Sequence, residues 1–247
     1  MKILVFISKT TGHMCLQHLL SDHMEDDYLF IVSDPDKNLI IDTLKKNNLN
    51  YLELSKDNIN LLKNESTKYD WLLNLWGGYI FKDDILSLAN NSLNIHPSFL
   101  PFGRGRDPVV WAIYNEHPAG VSLHKITKGV DEGPIFFQEE VRYEFPTTGA
   151  ELYRIVEERC WQTFHEKWSM IKNGKMKPFE QNSPKENTTS FRKDLIDNKT
   201  VFLEDDLSSN KLINKILAYD FHEEFSLNVN KNNKNYSIKL IIEESDE

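Results

Sequence analysis

Cysteine is scarce in this chain: Cys15 and Cys160 are the only two in 247 residues. That argues against a disulfide framework and a cysteine-rich zinc site, and makes a reducing compartment the default. Long apolar runs are missing too. The opening Met1-Lys-Ile-Leu-Val-Phe-Ile7 is unbroken only from Ile3 to Ile7, too short for a signal-peptide core or a membrane span. The expectation is a soluble, cytoplasmic protein with no membrane partner. Positive charge is in deficit, with 29 basic against 38 acidic residues and a net charge of −9. A surface that coats nucleic acid is therefore not expected. No internal repeat, low-complexity tract or G-x-G-x-x-G fingerprint occurs.

What is present suits one large domain, or one domain with an appendage. Hydrophobic residues make up 40% and charged residues 27%, enough for a real core under an ordinary surface. Residues 2–8 read as a buried strand and 13–21 as a short helix. Tyr28–Ser33 repeats the strand signal, and 37–48 reads as a helix. Short apolar runs follow near Tyr51–Leu54 and Trp71–Leu75, the second broken by Gly77-Gly78. Residues 82–89 read as a helix and Ser92–His96 as a strand. Strands alternating with helices predict an α/β fold: a Rossmann-like, mostly parallel sheet with helices on both faces.

Val121–Lys125 and Ile135–Tyr143 read as further strands. Thr148-Gly-Ala-Glu151 has capping-box spacing and opens a long helix to about Asn173. Leu152, Ile155, Val156, Cys160 and Phe164 place apolar groups on one face of it. Residues 174–190 are polar, carry Pro178 and Pro184, and read as a linker. A small unit over 191–247 follows, with a helix capped by Ser208-Ser-Asn210 and a hairpin of Phe225–Val229 with Tyr236–Ile242. From Gly174 on, 11 basic residues face 14 acidic ones, a net of −3. The domain expectation is thus a catalytic domain over 1–173, a linker and a C-terminal helix and β-hairpin unit.

The richest stretch for chemistry is Ser92-Leu-Asn-Ile-His-Pro-Ser-Phe-Leu-Pro-Phe-Gly-Arg-Gly-Arg106. Asn94 and His96 share one strand face at i and i+2, and Pro97 ends the ladder. An amide donor beside an imidazole is a kit for work at a carbonyl carbon. Asp131 lies in Lys128-Gly-Val-Asp-Glu-Gly-Pro134, a glycine-flanked turn between two strands, and is suited to orienting His96 or to holding a water near it. Any one of the three could be structural, and a lone strand-end histidine is more often structural than catalytic. His13, His18, His23, His117, His165 and His222 show no ligand spacing. No metal is expected, and most of these histidines are expected at the surface.

Four words in order, Asn94-Ile-His96-Pro-Ser, Leu100-Pro-Phe-Gly-Arg-Gly-Arg106, Gly120-Val-Ser-Leu-His124 and Asp131-Glu-Gly-Pro-Ile135, resemble the family of formyltransferases that use N10-formyltetrahydrofolate. The resemblance covers about residues 70–145. It implies Asn94, His96 and Asp131 as the catalytic triad, and folate held by Trp76, Gly77, Gly78, Tyr79 and Ile80, with Leu86 and Val130 as apolar walls. Folate is then a co-substrate and no metal takes part.

The family divides by acceptor. The short acidic tail disfavours the methionyl-tRNA branch, and the terminal helix and hairpin disfavour the glycinamide ribonucleotide branch. Phe191-Arg192-Lys193-Asp194 resembles a motif of the branch that formylates nucleotide-linked amino sugars for surface polysaccharide. That branch implies a dTDP-4-amino-4,6-dideoxyglucose type of acceptor and O-antigen synthesis. A homodimer is the expectation from the terminal hairpin, whose apolar face can bury against a partner or equally pack on its own core. Lys9, Arg104, Arg192 and Lys193 are candidates to meet the sugar nucleotide, and Trp76 and Tyr219 to stack on its base. Solvated loops and core packing remain the plain alternatives for these residues. A non-catalytic folate or nucleotide-sugar binding module is the reading of another class.

Overall fold

The computed structural model describes residues 1–64, 66–182, 189–202, 205, 207–221 and 226–243. In chain order its first elements are β1 Lys2–Ile7, α1 Lys9–Asp22, β2 Asp27–Val32, α2 Lys37–Lys46, β3 Asn50–Glu53, α3 Lys56–Asn64, β4 Tyr69–Leu75, α4 Asp83–Leu86 and β5 Ala89–His96. There follow β6 Arg104–Gly105, α5 Pro108–Asn115, β7 Ala119–His124, β8 Ile135–Val141 and α6 Gly149–Lys172. The chain continues with β9 Thr189–Ser190, α7 Arg192–Asp197, β10 Thr200–Phe202, α8 Ser209–Tyr219, β11 Asn228–Lys231 and β12 Lys234–Ser237.

Seven strands form one sheet in the order β3-β2-β1-β4-β5-β7-β8. The pairs β3–β2, β2–β1, β1–β4 and β4–β5 are parallel, and β5–β7 is antiparallel. This is the α/β sheet flanked by helices that the alternation predicts. Its interior strand β1 shows why the sequence from Ile3 to Ile7 is apolar at every position. Ile3, Leu4, Val5, Phe6 and Ile7 are all at most 1% exposed, because a central parallel strand is covered on both faces.

Two compact units partition the described chain. One comprises 1–96, 121–138 and 158–181; the other comprises 97–120, 139–157 and 182–247. The first holds most of the large sheet. In the second, Ser208 caps α8 by accepting from Lys211 N, and β10, β11 and β12 form a three-stranded sheet.

Several boundaries differ from the sequence reading. Helix α1 begins at Lys9 rather than residue 13. Gly12 permits this, since a Cβ there would lie 2.7 Å from the Leu75 carbonyl oxygen, so the first turn lies flat on β4. The expected 82–89 helix shrinks to α4, because Ala89 pairs with Tyr69 at the start of β5. Helices α3 and α5 were not anticipated. Both carry start signals: Ser55 Oγ accepts from Asn58 N at 3.1 Å, and α5 has Pro108 in its first turn.

Thr148 and Glu151 do form the expected capping box, with Thr148 N donating to Glu151 at 2.8 Å and Glu151 N to Thr148 at 3.3 Å. Leu152, Val156, Cys160 and Phe164 are fully buried along α6, but Ile155 is 41% exposed. The buried row runs at intervals of four, and Ile155 falls beside it. The terminal hairpin pairs deeper into its polar loop than expected, leaving Asn232 and Asn233 alone at the tip. Both have left-handed φ, 53° and 60°, the backbone of a tight two-residue turn. Pro184, His222 and Phe225 lie outside the described residues.

Candidate active site

Asn94 and His96 stand at the end of β5, in the first unit, buried to 9% and 5% exposure. Two neighbouring strands flank them. β4 brings Asn74 opposite Asn94, and Asn74 Nδ2 donates to Asn94 Oδ1 at 2.8 Å. β7 brings His124 opposite Asn94 and Ser122 opposite His96.

His124 is the member that sequence reasoning missed. Its Nδ1 lies 2.8 Å from the carbonyl oxygen of Lys125. A carbonyl can only accept, so the imidazole proton sits on Nδ1 and Nε2 carries a lone pair. That lone pair accepts from Asn94 Nδ2 at 2.9 Å. The amide is thereby clamped on both sides, its oxygen by Asn74 and one N–H by His124.

Asp131 comes from the turn between β7 and β8, at φ 51°. Its Oδ1 accepts from Asn94 Nδ2 at 3.4 Å and lies 3.5 Å from His124 Nε2. Its Oδ2 lies 3.5 Å from His96 Nδ1. That last distance is ion-pair range and longer than a direct hydrogen bond, leaving room to tighten when a reacting group arrives.

The turn carrying Asp131 is pinned from behind. Gln181 Nε2 donates to the carbonyl oxygens of Asp131 at 2.7 Å and Gly133 at 2.8 Å. A Cβ on Gly133 would come within 1.9 Å of the Lys125 carbonyl oxygen, so only glycine fits. Gln181 sits in the polar stretch read as a linker. Its side chain is part of the site's frame, together with a bridge in which Ile135 and Phe179 exchange both backbone bonds.

The other expected site residues are placed as follows. Trp76 has φ 69° and bridges to Ile7, and its carbonyl accepts from Ser8 Oγ at 2.5 Å. Gly77 lies against Asn74 and Phe6, while a Cβ on Gly78 would meet open space. Tyr79 is stacked on Phe6 with centroids 5.2 Å apart, so its ring is committed to packing. Ile80 is 79% and Val130 43% exposed, and Leu86 packs beside the core. Lys9 lies in the first turn of α1, not in a loop, and its backbone N–H donates to Pro35 O at 3.0 Å.

In the second unit, Arg104 lies on β6, and Arg192 and the exposed Lys193 open α7. Arg192 pairs with Asp107 at 3.0 Å. Tyr219 corrects an expectation. It is 1% exposed and its hydroxyl donates to Leu195 O at 2.9 Å, so no ring face is open to a base. The histidines correct another. His18 and His23 are buried, at 7% and 5% exposure, rather than superficial.

A clamped amide, an imidazole and a carboxylate stand together at one strand end, groups whose chemistry suits hydrogen-bond donation to a carbonyl oxygen and proton transfer. Comparison with known proteins shows the family. Residues 1–166 match the profile of the family described as Formyl transferase. The chain belongs to this family.

Among curated relatives, a methionyl-tRNA formyltransferase from Thermotoga neapolitana is 32% identical over 145 residues, 58% of this chain and 45% of that one. The chain spans only 25% to 61% of the length of the first relatives it matches. Among solved structures, a sugar N-formyltransferase from Shewanella sp FDAARGOS_354 aligns with a TM-score of 0.80 over 99% of each chain at 18% identity. An N-formyltransferase from Helicobacter canadensis, in complex with folinic acid and dTDP-3-aminofucose, has a TM-score of 0.75 at 21% identity. That alignment covers 95% of this chain and 86% of the other. At these identities the likeness is one of fold.

Proposed function

We propose that this formyltransferase moves the formyl group of N10-formyltetrahydrofolate to the amino group of a nucleotide-linked amino sugar. A dTDP-4-amino-4,6-dideoxyglucose type of acceptor, serving surface polysaccharide such as O-antigen, is the first choice. The reading of the chemistry rests on the cluster of Asn94, His96 and Asp131 with His124. The reading of the acceptor rests on the likeness to a sugar N-formyltransferase fold over 99% of both chains, including the small C-terminal unit.

In this mechanism the acceptor amine attacks the formyl carbon and negative charge gathers on the formyl oxygen. Asn94 donates to that oxygen by exchanging its long 3.4 Å contact to Asp131, while the shorter one to His124 keeps the amide aligned. The carbon–N10 bond then breaks. His96 carries the proton from the amine to the departing folate nitrogen, and Asp131 steadies the imidazole while it is charged. The backbone of Trp76, Gly77, Gly78, Tyr79 and Ile80, flanked by Leu86 and Val130, serves the pterin. It follows a strand's carboxyl end, where α/β sheets receive ligands. Lys9, Trp76, Arg104, Arg192 and Lys193 serve the sugar nucleotide.

The work is assigned to the cytoplasm, and none of the described helices is long and apolar enough to cross a membrane. A homodimer through the terminal hairpin, where Tyr236 is 54% exposed, completes the proposal. One second reading has an observation behind it: a relative at 32% identity acts on methionyl-tRNA. The net charge of −3 after Gly174 weighs against it, since tRNA binding draws on cationic surface.

Purified protein should consume N10-formyltetrahydrofolate when a dTDP-linked amino-dideoxy sugar is added, and not without it. Turnover with glycinamide ribonucleotide or methionyl-tRNA, and with no nucleotide-linked amino sugar, would overturn the acceptor assignment.

A further inference from the structure

A second group of ligating side chains lies in the first unit and shares no residue with the formyl-transfer site. His18 and Asp22 are one turn apart on α1, and His165 approaches them from α6. His18 Nδ1 is 3.2 Å from Asp22 Oδ2, and His165 Nε2 is 3.5 Å from the same oxygen. One ligand atom from each of the three falls within 4.8 Å of the others. A tetrahedral zinc ion with bonds of about 2.0–2.1 Å holds its ligand atoms about 3.3–3.4 Å apart. The two contacts to Asp22 bracket that spacing.

His18 is the telling residue. It is 7% exposed, yet neither ring nitrogen has a hydrogen-bond partner among the described residues. Its Nδ1 is close to Asp22 without hydrogen-bond alignment. Among the described residues Nδ1 has only this ion-pair contact and Nε2 has no hydrogen-bond partner, and a buried imidazole left so poorly satisfied is costly to keep. The side chains of Asp22 and His165 are 49% and 53% exposed, which opens the group to solvent.

We propose that His18, Asp22 and His165 bind a divalent first-row transition ion of the zinc class, with water completing the coordination. Two imidazoles and one carboxylate match that class of ion. The ion would tie α1 to the C-terminal half of α6 and is a structural cross-link, separate from the chemistry at His96. A neighbouring group, His23, Glu25 and Asp26, also has ligand spacing, but it already holds a cation. Lys172 Nζ lies 2.6 Å from Asp26, 2.8 Å from Glu25 and 3.2 Å from His23 Nδ1.

The test uses tag-free full-length protein stripped with a chelator and then titrated with Zn²⁺ against a chromophoric competitor. The expected result is one saturable site. Asp22→Asn and His165→Ala alter exposed side chains and should keep the wild-type circular dichroism. Each should weaken Zn²⁺ binding at least tenfold and abolish the rise in thermal midpoint that Zn²⁺ produces in the wild type. His18→Ala should do the same, but the two exposed variants decide the matter because about half of each altered side chain faces solvent. No saturable Zn²⁺ binding by the wild type would overturn the proposal. So would affinities within twofold of wild type in both exposed variants.

Discussion

The side-chain amide of Asn94 donates to Nε2 of His124 across 2.9 Å, from one strand of the antiparallel β5–β7 pair to the other. The Lys125 carbonyl fixes the tautomer that makes this possible. His124 is thus a positioning residue for Asn94. His124→Ala should lower kcat by about ten- to a hundredfold, as loss of an orienting partner commonly does, with circular dichroism unchanged. His124→Gln should recover part of the rate, because its amide oxygen can accept from Asn94. A wild-type kcat in His124→Ala would remove the residue from the site.

Asn94→Ala, His96→Ala and Asp131→Asn should each reduce turnover at least tenfold, the range expected for single members of a proton-transfer and oxyanion set. The three share contacts, so their effects should not add. The His96→Ala/Asp131→Asn double variant should be no more than a few times slower than the worse single variant. Steady-state rates on folded protein check this. Full additivity would mean that Asp131 does not act through His96.

Asn94 and His96 were legible in the sequence because strand period and a following proline place them by local rules alone. Asp131 was legible through the ordered motifs around it. His124 was not singled out, although it lies within the Val121–Lys125 strand signal. Its role depends on which strand β7 pairs with, and on antiparallel register, which spacing along the chain does not encode. Gln181 had no local signal, since its partner turn is 50 residues away. The parallel sheet followed from alternation, whereas the fate of Tyr219 hinged on packing against Leu195. An aromatic on an amphipathic helix looks the same in sequence whether it faces a core or a ligand.

Gln181→Ala should loosen the turn that presents Asp131. Two side-chain bonds are lost, and the stability cost should be about 1–3 kcal/mol, as for other part-buried donors removed from carbonyl partners. The rate should fall as well, with KM for the sugar nucleotide less affected than kcat. Gly133→Ala should be worse, because its Cβ would meet backbone rather than a yielding side chain. Urea unfolding and steady-state kinetics on both variants check the order.

Lys172 is 8% exposed and faces Asp26 and Glu25. Its ammonium helps hold the Glu25 carboxyl down to about 2. Lys172→Met should destabilise the fold by about 3 kcal/mol, since removing one partner strands a buried charge. The Met1 ammonium, 2.8 Å from Asp26, keeps the loss from being larger. Adding Asp26→Asn should recover part of it, which a double-mutant cycle in urea measures directly. Equal destabilisation with and without Asp26→Asn would show that the pair is uncoupled.

Acid should destabilise the fold partly through His18. Its pKa falls from 6.5 to about 4 on folding, through burial first and then the neighbouring His165 and His23 imidazoles, against the opposing pull of Asp22. Above pH 6.5 both states are neutral and the group contributes no pH dependence. As pH falls from 6.5 toward 4, the unfolded chain takes up a proton that the folded chain refuses, so stability declines. Below about 4 both states bind the proton and this contribution levels off. The full shift corresponds to about 3 kcal/mol. His23 is lowered too, by burial and then by Lys172, and steepens the same limb. Urea unfolding of chelator-treated protein at a series of pH values should show this decline. His18→Asn should flatten it between pH 6.5 and 4, whatever that substitution costs at neutral pH. Parallel pH profiles for the two proteins would mean that His18 accepts its proton in the folded state as readily as in the unfolded one.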